Sequence, residues 1–436
     1  MNLKTSLKQL WRESKATPVF TALYIGGVTF AVAFTMLYAI LIYVEVAPVY
    51  PEYNRETTLF LKNMQCNNPE KKMLMQSMIG SSFIEEHLSD LKNCDYLTVT
   101  SMGNMVFVKH PDGKTDIRQL LSMVDENFFR LYDYEFVAGE PFTRADRDSG
   151  VNVAIISDRL ASTLFGSAEA ALGRDITIES YTYRVRGVVR EGSSINPDSY
   201  SNIFVPVSLK GRSSDDKGDL RRYMGGYKVA MKVSDPDKIQ ALKDEINEKV
   251  SRISATDPEG WSLIVRSMPS KVESAFGSDG TESETLFDIL KPYIIVLMVL
   301  LVIPALNISG MIGGQMNRRL SEIGLRRSFG APRGSLCSQV MFENFILTLV
   351  GGALGLILVW LVLILGHNRL LIMLASGEEI WSFMISPPEV TAEMLFAPAV
   401  FIGALVVCVV LNVLSAYIPV RLALRRPIVT SLNNKR

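Results

Sequence analysis

The sequence predicts an α-helical membrane protein of four transmembrane helices that carries a large extracytoplasmic α+β domain. Three observations carry this prediction. Four long apolar blocks are free of charge, the basic residues gather in three short segments, and one polar stretch is far too long for a loop. The overall composition, 48% hydrophobic and 21% charged over 436 residues, excludes disordered, collagenous and disulfide-scaffold classes. Lys+Arg equals Asp+Glu at 45 each, so no global excess points to nucleic acid as a partner.

Residues 1–15 place Leu3, Leu7, Leu10 and Trp11 on one helical face and Lys4, Lys8, Arg12 and Lys15 elsewhere. This pattern predicts a basic amphipathic helix lying against membrane lipids on the cytoplasmic side. The first uncharged block, Ala16 to Val44, has 29 residues. Ala31-Val32-Ala33 mimics a signal-peptide cleavage site, but the chain stays apolar past it, which favours an uncleaved anchor. Pro292 to Asn317, Asn344 to Gly366 and Met394 to Val420 have 26, 23 and 27 residues. A helix needs about 20 apolar residues to cross the hydrocarbon, so all four are long enough.

Orientation follows from the segments between blocks. Residues 318–339 hold Arg318, Arg319, Arg326, Arg327 and Arg333 against Glu322, and residues 421–436 are basic without an acid. The positive-inside rule places these segments and both termini in the cytoplasm of an inner (plasma) membrane. Residues 45–290 then lie outside, with 29 Lys+Arg against 38 Asp+Glu. Cys66 and Cys94 share that oxidising side, which permits a disulfide between them; two buried thiols are the alternative.

The outer segment reads as two β-α-β halves around an insertion. Thr57–Lys62, a helix over Phe83–Asn93 capped by Ser81 or Ser82, and β-rich Asp95–Ser101 and Met105–His110 form the first half. Tyr227–Val233, a helix over Pro236–Ile253 and a strand over Trp261–Met268 form the second, giving a split α/β sandwich. Between them come aromatic Val124–Phe142, a strand at Val153–Ile156, a helix from Ser157 to Phe165 stopped by Gly166, and strands at Ile176–Ile178, Tyr183–Val189 and Ile203–Val207. Gly211–Gly226 reads as a return loop and Glu273–Thr285 as a linker.

The chain thus divides into a cytoplasmic helix (1–15), a first transmembrane helix (16–44), an extracytoplasmic core (45–285, with an insertion at about 111–226) and a second transmembrane helix (286–317). A cytoplasmic segment (318–339), a third transmembrane helix (340–366), an outer loop (367–393), a fourth transmembrane helix (394–420) and a cytoplasmic tail (421–436) follow.

No catalytic constellation emerges. Gly113-Lys114-Thr115 lacks the glycine a phosphate-binding loop needs five positions earlier, where Val108 stands, so it reads as a turn. His87, His110 and His367 are dispersed, and neither a His-Glu-x-x-His helix nor a Cys-x-x-Cys pair occurs, so no metal site is indicated. The span interiors carry no Asp, Glu, Lys, Arg or His, which disfavours an ion-coupled carrier. They carry small residues at helix-packing spacing: Gly27 with Ala31, Gly310 with Gly314, and Gly351 with Gly355. In the segment after the second span, Glu322 and Arg326 are four apart in the favourable order, and Gly330 before Pro332 predicts a helix stop.

The run Asn317-Arg-Arg-Leu-Ser-Glu-Ile-Gly-Leu-Arg-Arg-Ser-Phe-Gly-Ala-Pro-Arg-Gly-Ser335 resembles the signature of the FtsX-like permeases of the MacB type. Glu343, Gly351-Gly-Ala-Leu-Gly355 and the closing Pro419-Val-Arg421…Pro427 segment fit the same family. Asp125-Glu-Asn-Phe-Phe129, Val137-Ala-Gly139, Ala161–Gly166, Gly173 and Val185–Val189 resemble its MacB periplasmic core. The resemblance implies a porter-like split α/β sandwich with an inserted sabre-like subdomain. It implies a permease subunit of an ABC transporter, dimeric with a second copy or a close paralogue, and paired with a separate cytoplasmic ATPase that binds the ATP and Mg. No cofactor is then expected in this chain. Glu322, Arg326, Arg327 and Gly330 would couple to that ATPase, whose hydrolysis would move the outer domain by mechanotransmission. Export or extraction of a peptide, drug-like or lipid-linked substrate follows, with a periplasmic adaptor and outer-membrane channel as further partners. An FtsX-like scaffold that regulates extracytoplasmic hydrolases without moving cargo is the alternative, and the size of the outer domain favours export.

Overall fold

The structure is a computed structural model that describes residues 11–12, 15–113, 115–209, 219–265, 268–276, 286–374 and 398–425. Most of the amphipathic helix expected over 1–15 lies outside these residues, as do most of the 367–393 loop, much of the 273–285 linker, the tip of the 211–226 return loop and most of the C-terminal tail. In chain order the helices that matter below are α1 (Pro18–Val46), α2 (Arg144–Ser149), α3 (Asp158–Phe165), α4 (Lys238–Ala255), α5 (Leu286–Arg318), α6 (Leu320–Ser328), α7 (Arg333–Leu374) and α8 (Pro398–Arg425). The chain forms two compact units, a helical one from residues 1–44, 290–367 and 392–436, and an outer one from residues 45–289 and 368–391.

Among its described residues the helical unit contains four helices long and apolar enough to cross a membrane, at Pro18–Val44, Leu290–Arg318, Arg333–Gly366 and Pro398–Leu424. On α1, Tyr24, Val28, Val32, Met36 and Ile40 recur every fourth residue and are buried. That spacing lines one helical face. It packs in one core with Ile308, Ile312 and Met316 of α5, Val359 and Leu363 of α7, and Ala416 and Val420 of α8. Close approach of α1 to α7 depends on two glycines. A methyl group on Gly351 would stand 2.7 Å from Val28 Cβ, and one on Gly355 would stand 2.8 Å from the Thr29 carbonyl oxygen. The Thr29 hydroxyl donates to the Gly351 carbonyl at 3.2 Å, and the Tyr24 and Thr348 hydroxyls share a hydrogen bond of 3.0 Å. Gly27, Gly310 and Gly314 face open space within the chain and make no such approach.

The outer unit is built on a branched sheet whose described strands are, in chain order, β1 (Thr58–Leu61), β2 (Met64–Asn68), β3 (Met73–Ile79), β4 (Tyr96–Ser101), β5 (Asn104–Lys109), β6 (Asp116–Val124), β7 (Phe136–Gly139), β8 (Val153–Ser157), β9 (Asp175–Ile178), β10 (Tyr181–Val189), β11 (Ile203–Pro206), β12 (Met224–Gly225), β13 (Tyr227–Lys232) and β14 (Ser262–Ile264). In the first half β13 lies between β1 and β4, antiparallel to both, and β2 lies between β3 and β14. Helix α4 covers this half with Leu242, Ile246 and Val250 buried in its core. In the inserted half β8 and β10 pair in parallel, as do β6 and β11.

Three details depart from the sequence reading. The helix expected over Phe83–Asn93 is a single turn, Ser81–Phe83, continued by a wider turn, Ile84–Leu88, and its N-cap is Gly80 rather than a serine. The β2–β3 hairpin was not expected at all; its strands are built on Met, Gln and Asn, which lack the β-branched signature of strands. Strand β5 pairs with β6 and β9, so hydrogen bonding groups it with the inserted half rather than with the first. By contrast α3 runs Asp158–Phe165, with the Ser157 hydroxyl accepting from Leu160 N–H and Gly166 in the left-handed region at φ 87°. The aromatic stretch after β6 becomes a core in which Phe128, Phe129, Tyr134 and Phe204 pack with centroids 5.3–6.0 Å apart.

Candidate functional site

The short helix α6 stands between two candidate spans and is fixed by polar contacts at both ends. Its C-terminus closes as a Schellman motif: Gly330 N–H donates to Arg327 O at 3.0 Å and Ala331 N–H to Arg326 O at 3.1 Å. Gly330 takes φ 87°, a conformation that a side chain resists, and Pro332 cannot continue the helix. The Glu322–Arg326 pair read from the sequence is formed at 2.6 Å. Arg326 also donates to Gln339 Oε1 at 3.2 Å, and Gln339 donates to Glu343 Oε1 at 3.2 Å. Arg319, at the N-cap, reaches Glu343 at 3.0 Å, and Glu343 is buried on α7. Arg327 donates to the Leu424 carbonyl near the end of α8 at 3.3 Å. Glu322, Arg326, Arg327 and Gly330 are therefore brought together, and two of the arginines bind α6 to its own neighbours.

Beside the exposed Glu322, two apolar side chains of this corner also face outward. Leu325 is 53% exposed and Phe329 is 84% exposed, one helical turn apart. In the sequence the charges of this segment overshadow both residues; an i, i+4 apolar pair beside them was the available signal. This exposed pair sits on a corner that Arg326–Gln339 ties to α7 and Arg327–Leu424 ties to α8.

The cysteines do not pair. Cys66 and Cys94 are both free thiols. Cys66 is buried in β2, opposite Met75 and Leu263. The Cys94 thiol donates to Tyr96 O at 3.1 Å and lies 3.6 Å from Lys232 O. Burial pushes both thiols up to about 11, so neither is a reactive thiolate at neutral pH. Among the described residues no three His, Cys, Asp or Glu side chains converge in a way that would hold a metal.

A second constellation, in the outer unit, had no sequence signal. Asp198 accepts from Lys62 at 2.8 Å and lies 3.5 Å from both Lys228 and Lys271. Lys271 reaches Glu52 at 3.1 Å, and Arg55 reaches Glu52 at 2.9 Å. Arg55 also donates to Asn196 and to the Ala47 carbonyl. Burial alone would raise the Asp198 carboxyl, but Lys62, Lys271 and Lys228 outweigh it and hold it far below its usual range. Burial likewise works against Glu52, and Lys271 and Arg55 leave it lowered. The cluster joins residues just after α1, a loop of the inserted half and the short helix Lys271–Phe276 that precedes α5.

Comparison with known proteins agrees with this architecture. A family model described as MacB-like periplasmic core domain matches residues 21–249, and one described as FtsX-like permease C-terminal matches residues 294–428. The uncharacterized ABC transporter permease YknZ of Bacillus subtilis is 23% identical over 278 residues, 63% of this chain and 65% of that protein. The pyoverdine export ATP-binding/permease protein PvdT of Pseudomonas fluorescens is 23% identical over 323 residues, 74% of this chain and 44% of that protein. The crystal structure of the periplasmic region of MacB from Actinobacillus actinomycetemcomitans aligns with a TM-score of 0.33 at 16% identity, covering 47% of this chain and 88% of that one. The chain thus spans less than two thirds of the curated relatives it matches.

Proposed function

Because this chain belongs to the MacB-like family of FtsX-type ABC transporter permeases, we propose that it is the permease subunit of an exporter whose ATP-hydrolysing subunit is a separate protein. In this reading α6 is the contact for that ATPase, on the cytoplasmic side together with both termini. Leu325 and Phe329 enter the partner, and Glu322, Arg326, Arg327 and Gly330 hold the corner stiff. Hydrolysis displaces α6; α7 and α8, tied to it by Arg326–Gln339 and Arg327–Leu424, carry the displacement toward the outer unit. That is mechanotransmission, and it moves a peptide, drug-like or lipid-linked substrate without a charged path through the spans. ATP and Mg belong to the ATPase. A second copy or a paralogue completes the transporter, and an adaptor and outer-membrane channel extend it where the envelope has two membranes.

The observation that supports this most is the arrangement of α6: an exposed apolar pair on a helix whose arginines are turned back onto its neighbours. Rigid docking with force transfer needs both features at once. The test is copurification of the ATPase with Leu325→Asp and Phe329→Asp, beside Glu322→Lys and Arg326→Glu. The expected result is loss of ATPase retention in the first pair, and retained ATPase with transport-uncoupled hydrolysis in the second. Wild-type retention and transport in all four would reduce α6 to an ordinary solvated turn.

A further inference from the structure

The outer unit contains a cleft of about 560 Å³ between its two halves, well within the range of small-molecule sites. Its walls differ in character. The first half contributes Ile84, Leu88, Leu91, Tyr96 and Leu97, and Leu209 follows from the strand β11 side. Leu91, Tyr96, Leu97 and Leu209 are only half-buried, so their side chains are available to an occupant. Around this apolar surface stand five carboxylates, Glu85, Asp95, Asp125, Glu126 and Asp148, against two guanidiniums, Arg144 and Arg147. Both arginines are already engaged. Arg147 lies 2.7 Å from Glu126 and 3.6 Å from Asp148, and Arg144 lies 3.6 Å from Asp148. Asp95 is tied to the Ser234 N–H at 2.8 Å.

Asp125 differs from the other four. It is 4% exposed, and the Thr98 hydroxyl of β4 donates to it across the junction of the two halves. Burial, with the charge of Glu126 beside it, pushes its carboxyl up to about 7, against the pull of Thr98 and Arg147. A carboxyl in that position is costly to ionise and gains most from a counter-charge brought with low desolvation cost.

We propose that this cleft binds an amphipathic organic cation of drug size, with its apolar body against Leu91, Leu97 and Leu209 and its charge over the acidic wall at Asp125 and Glu85. An anion would face the acids uncompensated, and a neutral body would leave the acidic wall without a counter-charge. A delocalised cation sheds its weak hydration shell at low cost and has the sign that the acidic wall calls for, so it fits both walls. The site lies within one chain and is independent of the α6 contact proposed above.

The probe is tetraphenylphosphonium, measured by equilibrium dialysis against the full chain in nanodiscs of neutral lipid, with uptake by empty discs subtracted and no ATPase present. Tetraphenylborate, of the same shape and opposite charge, is the comparison. The expected result is saturable uptake of one phosphonium per chain, none of borate, and affinity that rises about tenfold from pH 6 to pH 8 as Asp125 ionises. Glu126 on the same turn and Arg147 on α2 are the charges facing Asp125, and the Thr98 hydroxyl faces it from β4. Glu85→Lys should weaken binding at least tenfold, and Asp125→Asn should also abolish the pH dependence. Should Asp125→Asn lose its cooperative melting, exposed Glu85→Lys and Asp148→Lys still carry the test. Uptake equal to that of empty discs overturns the proposal, as does equal saturable binding of borate or unchanged affinity in the charge variants. A cleft that takes a basic amphipathic peptide but excludes tetraphenylphosphonium also overturns it. Because no ATPase enters the measurement, these outcomes leave the coupling function untouched.

Discussion

Lys271 Nζ stands 3.1 Å from Glu52 Oε2, and both side chains are buried. Glu52 comes six residues after α1 ends at Val46, and Lys271 begins the last short helix described before α5. One ion pair therefore closes the outer unit at its two chain ends, and Asp198 adds the inserted half to the same network. If the outer unit moves as a body, this cluster is what keeps its entry, its exit and its insert together.

The first prediction tests that role. Lys271→Met removes one partner from two buried carboxylates, and breaking a buried pair in this way costs about 3–5 kcal/mol. Adding Glu52→Gln removes one of the stranded charges, so the double variant should recover part of the loss. Chemical denaturation of the full chain in detergent, read by near-ultraviolet circular dichroism, measures both. A single-variant loss under about 1 kcal/mol would show that the cluster is an ordinary solvated network.

The second prediction concerns pH and sets two aspartates against each other. Asp125 is raised to about 7 in the folded unit, so the folded state holds its proton where the unfolded chain has released it. Its contribution to stability is fully present below about pH 4 and is lost as pH rises toward 7, at roughly 1.4 kcal/mol per pKa unit. Asp198 is lowered, so its contribution is present above its unfolded value and lost as pH falls below about 4. The expected profile is a melting temperature highest in mildly acid solution. Asp125→Asn should flatten the decline between pH 5 and pH 7, and an unchanged slope would assign the decline to other groups.

What was legible in the sequence follows from how local each signal is. The spans were legible because twenty apolar residues need no partner to be recognised, and α3 was legible because Ser157 and Gly166 mark both its ends. Glu322–Arg326 was legible as a neighbouring pair on one helix, but the inward turn of Arg327 was not, because its acceptor is a carbonyl on α8. The buried cluster was invisible for the same reason. Its members run from Glu52 to Lys271, and each alone reads as a surface charge. The β2–β3 hairpin was missed because Met73, Leu74 and Met75 carry helix-like propensity and only pairing makes them a strand. The acidic cleft needed both halves folded before Asp95, Asp125 and Asp148 lined one space.

The third prediction concerns α1 against α7. Gly351→Leu and Gly355→Leu would drive side chains into Val28 and Val32, where even a methyl group is too close. Overpacking of this kind typically costs about 1–3 kcal/mol. Gly310→Leu and Gly314→Leu meet open space within the chain and should leave the monomer's thermal stability unchanged. Equal destabilisation by all four would mean that the contact is not specific to α1 and α7.

The fourth prediction concerns the thiols. Cys66 and Cys94 are free, and burial raises both to about 11. Full-length protein purified without reductant should therefore show no mobility difference between reducing and non-reducing gels. All four cysteines should react with maleimide once the protein is denatured, and slow reaction at neutral pH is expected for Cys66 and Cys94 while it is folded. A count of two reactive thiols after denaturation without reductant would restore the disulfide.

The last prediction separates the stiffness of α6 from its contact surface. Gly330 holds φ 87°, and its N–H and that of Ala331 close the helix onto Arg327 and Arg326. Gly330→Ala forces a β-carbon into that conformation and should cost roughly 1 kcal/mol locally. The apolar pair Leu325 and Phe329 remains exposed in that variant, so the ATPase should still bind. The corner would yield under load instead of passing it to α7 and α8, so hydrolysis should continue while transport falls. Phe329→Asp should act in the opposite order, because it leaves the corner closed and removes the more exposed member of the apolar pair. ATPase retention should fall first, and hydrolysis stimulated by the permease should fall with it. Measuring retention and coupled transport side by side in membranes distinguishes the two. If Gly330→Ala and Phe329→Asp lose retention in equal measure, closure and contact are one property and the division of labour on α6 fails.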